Sequence, residues 1–186
     1  MPPTKHRKRQ PRPLNPAIFE EIALAYVARF STSAGKLERY LVRKLRERGW
    51  DDASEPPTRA LVQRYVGLGY VDDEGFAREK TGSLLRRGYG ARRVGQALRE
   101  AGIAEDLRER MRPGEAAARQ AALTLARKRR FGPFGSVALD RSLREKQIAA
   151  MLRAGHALDN VREIVNAASV AEAESWAAEA GEDTEC

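Results

Sequence analysis

The chain is poor in the residues from which most active sites are built. Its 186 residues hold one cysteine, Cys186, and two histidines, His6 and His156. A single thiol excludes an intrachain disulfide framework and a cysteine-based metal centre, and it fits a reducing, cytoplasmic compartment. The histidines stand apart from one another and from any identifiable nucleophile, so no Ser/His/Asp set and no metal site has support in the spacing. No Gly-Lys-Ser/Thr follows Gly88, Gly90 and Gly95, and no strand precedes them, which excludes a phosphate-binding nucleotide loop. β-Branched runs are few, and no convincing strand is read anywhere. No apolar run approaches the roughly 20 residues needed to cross a bilayer. The N-terminus is broken by Pro2, Pro3, Pro11, Pro13 and Pro16 and lacks the apolar core of a secretory signal. The expectation is a cytoplasmic monomer that works by binding: not an enzyme, with no cofactor, no metal, no small-molecule substrate and no membrane partner.

What is abundant is alanine, leucine and arginine. Straight side chains lose little rotamer freedom in a helix, so the composition predicts an all-α fold. The net charge of +8 is unevenly placed. Residues 1–17 carry +5 with no acid, and residues 169–186 carry −6 with no base. The body between them is therefore strongly basic, which favours polyanionic partners through steering and counterion release. The basic end is expected to be a disordered arm and the acidic end a solvated, disordered tail. Should that tail fold back on the basic body, deleting residues 169–186 would tighten DNA binding at low salt.

Between these ends the apolar residues fall at helical spacing. Ile18, Ile22 and Tyr26 mark a first helix from Ala17 to Arg29-Phe30. Leu37, Leu41 and Leu45 mark a second, closed by Gly49, after which Trp50 turns inward. Pro57 or Thr58 opens a third, with Leu61, Val62, Tyr65 and Val66, closed by Gly69. Asp72 or Asp73 caps the next helix, an assignment preferred over a metal pair or an acid/base couple. Val94, Leu98, Gly102 and Ile103 then reproduce Leu41, Leu45, Gly49 and Trp50, with a short helix from Glu105 to Met111. A third pass closes on Gly155-His156, followed by a helix using Leu158, Val161, Ile164 and Val165. Gly49, Gly102 and Gly155 are each 53 residues apart. An Arg–aromatic or Arg–Gly–aromatic turn precedes each second helix, at Arg29-Phe30, Arg87-Gly88-Tyr89 and Arg130-Phe131. Such recurrence predicts tandem units that cannot bury their apolar faces alone. The expected organisation is a basic arm (1–17), helical repeats over 18–69, 70–112 and 113–168, and an acidic tail (169–186).

Cations concentrate at corresponding places in these units. Arg86, Arg87, Arg92 and Arg93 bracket one interhelical turn; Arg127, Lys128, Arg129 and Arg130 end the matching helix one repeat later; Arg43, Lys44, Arg46 and Arg48 extend the series in the first. One or two cations per helix end complement the macrodipole, but four exceed that need. Stacked repeats would align them into a stripe for phosphates or an acidic protein groove. Most aromatics are expected in the core. Tyr89, between two glycines and beside four arginines, is the candidate for base stacking.

The stretch Gly69-Tyr70-Val71-Asp72-Asp73-Glu74-Gly75-Phe76-Ala77, then Arg87-Gly88-Tyr89-Gly90, Val94, Leu98 and Gly102-Ile103, resembles the central repeat of the RecX family. The resemblance spans residues 18–168 and is strongest over 66–103. It implies three tandem three-helix repeats in an elongated, curved array of either hand. It also implies a regulator, most often an inhibitor, that lodges in the groove of the RecA filament on single-stranded DNA, with many members also binding single- or double-stranded DNA directly. That role belongs to DNA repair and the SOS response. The chain departs from the family pattern in a longer Asp51–Thr58 segment, in His156 where an aromatic is commoner, and in a Gly/Pro-rich Phe131–Leu139 loop. The alternative reading is a helical nucleic-acid-binding module with no recombinase partner.

Overall fold

The structure, a computed structural model, describes residues 12–136 and 140–182. Among these residues it is all-helical, with one isolated backbone bridge and no strand. The chain divides into two compact units, Met1–Asp73 and Glu74–Cys186.

The first unit holds α1 (Pro16–Arg29), α2 (Ala34–Arg48) and α3 (Thr58–Gly67). The Asn15 side chain accepts a hydrogen bond from the Ile18 N–H at 2.9 Å, and Pro16 occupies the first helical position, where its missing N–H costs nothing. Leu14 and Phe19, before the cap and at the fourth helical position, are both fully buried in one cluster. That is the placement of a hydrophobic staple, which sets the angle at which the chain enters a helix. Leu14 also donates to the Gly49 carbonyl at 3.0 Å and accepts from the Asp51 N–H at 2.7 Å, bridging Trp50. The arm expected over 1–17 is thus corrected at its end: Leu14 is buried and Asn15, Pro16 and Ala17 cap and open α1, while residues 1–11 lie outside the described residues. Ser33 caps α2 on the Lys36 N–H, and the Asp73 carboxylate accepts from the Ala34 N–H at 2.8 Å. Asp73 thereby caps α2, 39 residues away, while standing at the first position of its own helix. Leu37, Leu41, Leu61, Val62 and Tyr65 close the core, with Trp50 edge-on to Phe19 at 5.5 Å.

The second unit begins within α4 (Asp73–Arg86) and continues through α5 (Ala91–Glu100), α6 (Glu105–Arg110), α7 (Glu115–Arg129), a 3-10 turn (Gly132–Phe134), α8 (Arg141–Arg153), α9 (Leu158–Asn166) and α10 (Val170–Glu182). Phe76, Ala77, Leu84, Val94, Leu98 and Ile103 form one core; Leu123, Met151, Val161, Ile164 and Val165 anchor another. Gly49, Gly102 and Gly155 all adopt positive φ, at 78°, 79° and 96°. The 53-residue interval therefore marks a recurring left-handed helix end that an L side chain rarely tolerates. After the last two of these glycines, Ile103 and His156 turn inward and are buried.

The acidic tail is the larger correction. Residues 170–182 are helical, and Ala173 and Ala177 are buried in the core shared by α7 and α9. The Ser169 hydroxyl accepts from the Glu172 N–H at 3.1 Å, and the Glu172 carboxylate accepts from the Ala168 N–H at 2.6 Å. These reciprocal bonds satisfy backbone donors at the helix start in the manner of a capping box. Small residues, with the half-buried Trp176 beside them, supply the contact rather than a large hydrophobic stripe. Residues 183–186 lie outside the described residues. Among the described residues no helix is long and apolar enough to cross a membrane.

Candidate nucleic-acid interface

The site is assembled by two backbones that meet without side chains between them. After α4 the chain turns at Gly88, with φ of 83°, and the Tyr89 N–H donates to the Leu84 carbonyl at 3.0 Å. The turn then docks on the end of α8. The Gly90 N–H donates to the Ala154 carbonyl at 3.0 Å and the Arg92 N–H to the Gly155 carbonyl at 3.1 Å. A Cβ on Gly90 would lie 2.4 Å from the Gly155 carbonyl carbon and oxygen, and one on Gly88 would lie 2.9 Å from the Leu125 amide nitrogen. Only glycine permits this approach.

His156 closes the junction. It is buried, and its Nε2 lies 3.0 Å from the Gly88 carbonyl oxygen. Because that oxygen can only accept, Nε2 carries the proton and donates. Burial pushes the imidazole below its ordinary value near 6.5, outweighing the opposing effect of the Gly88 hydrogen bond, so the folded protein holds it neutral. The unfolded chain then binds more protons than the folded one at pH values between the two pKa values. Stability is fully present above about pH 6.5 and declines as pH falls from there toward the lower folded value, where the loss levels off. Urea denaturation from pH 7.5 to 5 should follow that decline, and His156→Phe should flatten it. An equal slope in the variant would assign the decline to other groups.

This docking brings Arg87 and Tyr89 to the C-terminal ends of α7 and α8, around a cleft of about 360 Å³. Lys128 and Arg129 from α7 and Arg153 from α8 line it beside Leu125 and Phe131. The Arg87 guanidinium lies over the Tyr89 ring, 5.3 Å from its centroid. Arg129 also borders a neighbouring cleft with Arg130 and Lys146. Arg130 has φ of 57°, the one non-glycine residue with positive φ among those described. It occupies the place in its turn that Gly88 holds in the preceding one, a conformation that costs an L residue roughly 1–2 kcal/mol.

The remaining cations read from the sequence divide by their partners. Arg92 donates to the Leu152 carbonyl at 2.9 Å and so caps α8. Arg93 bonds Gln96 at 2.9 Å, and Arg86 lies back along its own helix over Gly82. Arg127 is ion-paired with Glu174 of α10 and lies 5.8 Å from the Phe134 centroid. In the first unit Arg43 and Lys44 share Glu47, at 3.6 and 2.7 Å, and both approach the Tyr40 ring. The Lys44 hydrogen bond holds the Glu47 carboxyl below its usual range. Arg48 donates to the Arg12 carbonyl at 2.7 Å, and Arg46 is exposed. Of the residues singled out, Arg87, Tyr89, Lys128 and Arg129 share one cleft, whereas Arg92 is taken up by the fold. Arg153 and Lys146 were missed. Arg153 carries the same signal as Arg129, a cation in the last turn of a helix, but alone rather than in a run. Among the described residues, no group of three His, Cys, Asp or Glu side chains could hold a metal.

Comparison with known proteins places these elements in context. The family described as RecX, second three-helix domain, matches residues 72–111, which span α4 to α6. The chain is 31% identical over 179 residues to a Regulatory protein RecX of Myxococcus xanthus (strain DK1622), covering 88% of this chain and 94% of the relative. It is 36% identical over 89 residues to a Regulatory protein RecX of Mycobacterium sp. (strain KMS), covering 47% of each. The crystal structure of RecX from Lactobacillus salivarius superposes with a TM-score of 0.62 at 18% identity, over 80% of this chain and 93% of that one.

Proposed function

The chain belongs to the RecX family of regulatory proteins, and from that premise we propose that it binds the RecA filament and inhibits RecA recombinase and ATPase activity in DNA repair and the SOS response. It acts as a cytoplasmic monomer that also contacts single- or double-stranded DNA. The observation that carries this reading is the convergence of Arg87, Lys128, Arg129 and Arg153 on one cleft beside two aromatic rings. Such a surface suits a nucleoprotein filament, which offers phosphates and carboxylates together. Arg43, Lys44, Arg46 and Arg48, on the first unit, are proposed as further cationic contacts. Arg86, Arg93, Arg127 and Arg130 supply the surrounding positive field, which speeds encounter more than it strengthens the final complex.

The test is a titration of RecA's DNA-dependent ATP hydrolysis. Hydrolysis should fall at substoichiometric to stoichiometric amounts of the protein, and it should recover when Lys128 and Arg129 are both changed to glutamate. An unchanged rate across that range rejects the reading. Lys128 and Arg129 are the informative pair because both are exposed. Reversing Arg92 would instead remove the cap of α8 and confound contact with stability. The aromatic lining of the cleft also favours a second reading, a nucleic-acid-binding helical module with no recombinase partner. In that case DNA affinity falls steeply with salt and RecA is indifferent.

A further inference from the structure

The cleft between the Gly88–Gly90 turn and the ends of α7 and α8 combines two chemistries that a patch serving only for charge would not need together. Its cations stand where α4, α7 and α8 end. Each helix C-terminus carries roughly half a negative charge, so three of them offset fewer than two of the four cations. Among the described residues no carboxylate lines the cleft. The rest of its lining is aromatic and apolar, with Tyr89, Phe131, Leu125 and Ala150. Its volume of about 360 Å³ lies at the small end of ligand pockets, which run to roughly 300–1,000 Å³.

The geometry points to a pocket for one unstacked nucleotide of a single strand, with the base against Tyr89 and the adjoining phosphates held by Lys128, Arg129 and Arg153. This rests on the reading above that the chain engages a nucleoprotein filament. A single strand offers a base face and flanking phosphates at once, which is what this lining matches. A duplex keeps its bases stacked inward and would leave the aromatic wall unused. An acidic peptide would use the cations and likewise leave the ring without a flat partner. Arg87, already over the Tyr89 ring, adds a cation–π contribution to the same platform.

The experiment is fluorescence anisotropy with the full chain, a labelled thymidine oligomer and its duplex, without RecA. Tyr89→Ala should weaken single-strand binding about five- to a hundredfold, with Tyr89→Phe retaining it and duplex affinity little changed. Tyr89 packs partly into the core, so Lys128→Gln at an exposed position provides a second reading. It should flatten the dependence of log affinity on log salt by about 0.7 for the single strand. A wild-type protein that prefers duplex, a Tyr89→Ala loss shared equally by both forms, or a Lys128→Gln slope equal to wild type overturns the pocket. Cleft variants that lose their effect on RecA yet keep full single-strand affinity also overturn it, in favour of an acidic protein segment. If RecA hydrolysis is indifferent to the wild-type protein while the single-strand pattern holds, the filament reading fails and the pocket stands.

Discussion

Replacing Gly90 with alanine is expected to destabilise the second unit by about 3 kcal/mol, the upper end of what overpacking a tight contact usually costs. The new Cβ would lie 2.4 Å from the carbonyl carbon and oxygen of Gly155 and 2.5 Å from the His156 amide nitrogen. These are backbone atoms and cannot swing away as a side-chain tip would. The two turns must separate, which breaks the hydrogen bonds from Gly90 to Ala154 and from Arg92 to Gly155 and pulls the Gly88 carbonyl from His156. For a chain of this size the melting temperature should fall by roughly 6–12 °C. The chain has one tryptophan in each unit, Trp50 and Trp176, so a Trp50→Phe background lets fluorescence follow the second unit alone. Gly95→Ala is the matched control. That glycine lies inside α5 with open space around it, and alanine there should stabilise by about 0.5–1 kcal/mol. Equal melting of the two variants would show that the turns do not meet. Because the same contact shapes the cleft, Gly90→Ala should also weaken whatever binds between Tyr89 and Lys128.

Much of this architecture is legible in the sequence because helices announce themselves locally. Leu37, Leu41 and Leu45 recur on one face, Gly49, Gly102 and Gly155 end their helices at equal intervals, and the structure gives all three glycines the left-handed backbone that only their lack of a Cβ makes easy. The site is legible only in part, since a run of cations identifies a helix end but not what each side chain meets. Arg87, Lys128 and Arg129 face the cleft, while Arg92, equally basic and in the same turn, is taken by the Leu152 carbonyl 60 residues later. Long-range partners of this kind leave no local trace, and Asp73 capping α2 is another. The misread ends have a different cause. Asn15-Pro16 with Leu14 and Phe19, and Ser169 with Glu172, are local helix-start signals, but the surrounding charge suggested chains unable to order. Charge on the exposed face of a helix says little about the face that packs, and on α10 the packing face is mostly alanine.

That face changes what removal of the C-terminal segment should do. Deleting residues 169–186 takes away six carboxylates and no cation, which by charge alone would tighten binding to a polyanion at low salt. It also removes Ala173 and Ala177 from the core and strips Trp176 from Arg119, whose guanidinium lies 4.7 Å from the indole centroid and donates to the Trp176 carbonyl at 2.9 Å. Loss of that packing should cost more than about 3 kcal/mol, comparable to truncating a large buried aromatic. The truncated chain should therefore melt well below the intact one, and its DNA affinity would mix gained charge with lost structure. Glu174→Gln separates the two. Its ion pair with Arg127 is half exposed, so breaking it should change stability by no more than about 1 kcal/mol. Arg127 does not line the cleft but is the chain neighbour of Lys128, which does, so its freed guanidinium adds to the positive field there. The variant should bind single-stranded DNA more tightly at low salt, with the salt dependence steeper by about 0.7 and the melting temperature preserved. If affinity and slope are those of the wild type, Arg127 is a structural cation held by α10, and the positive field of the cleft ends at Lys128.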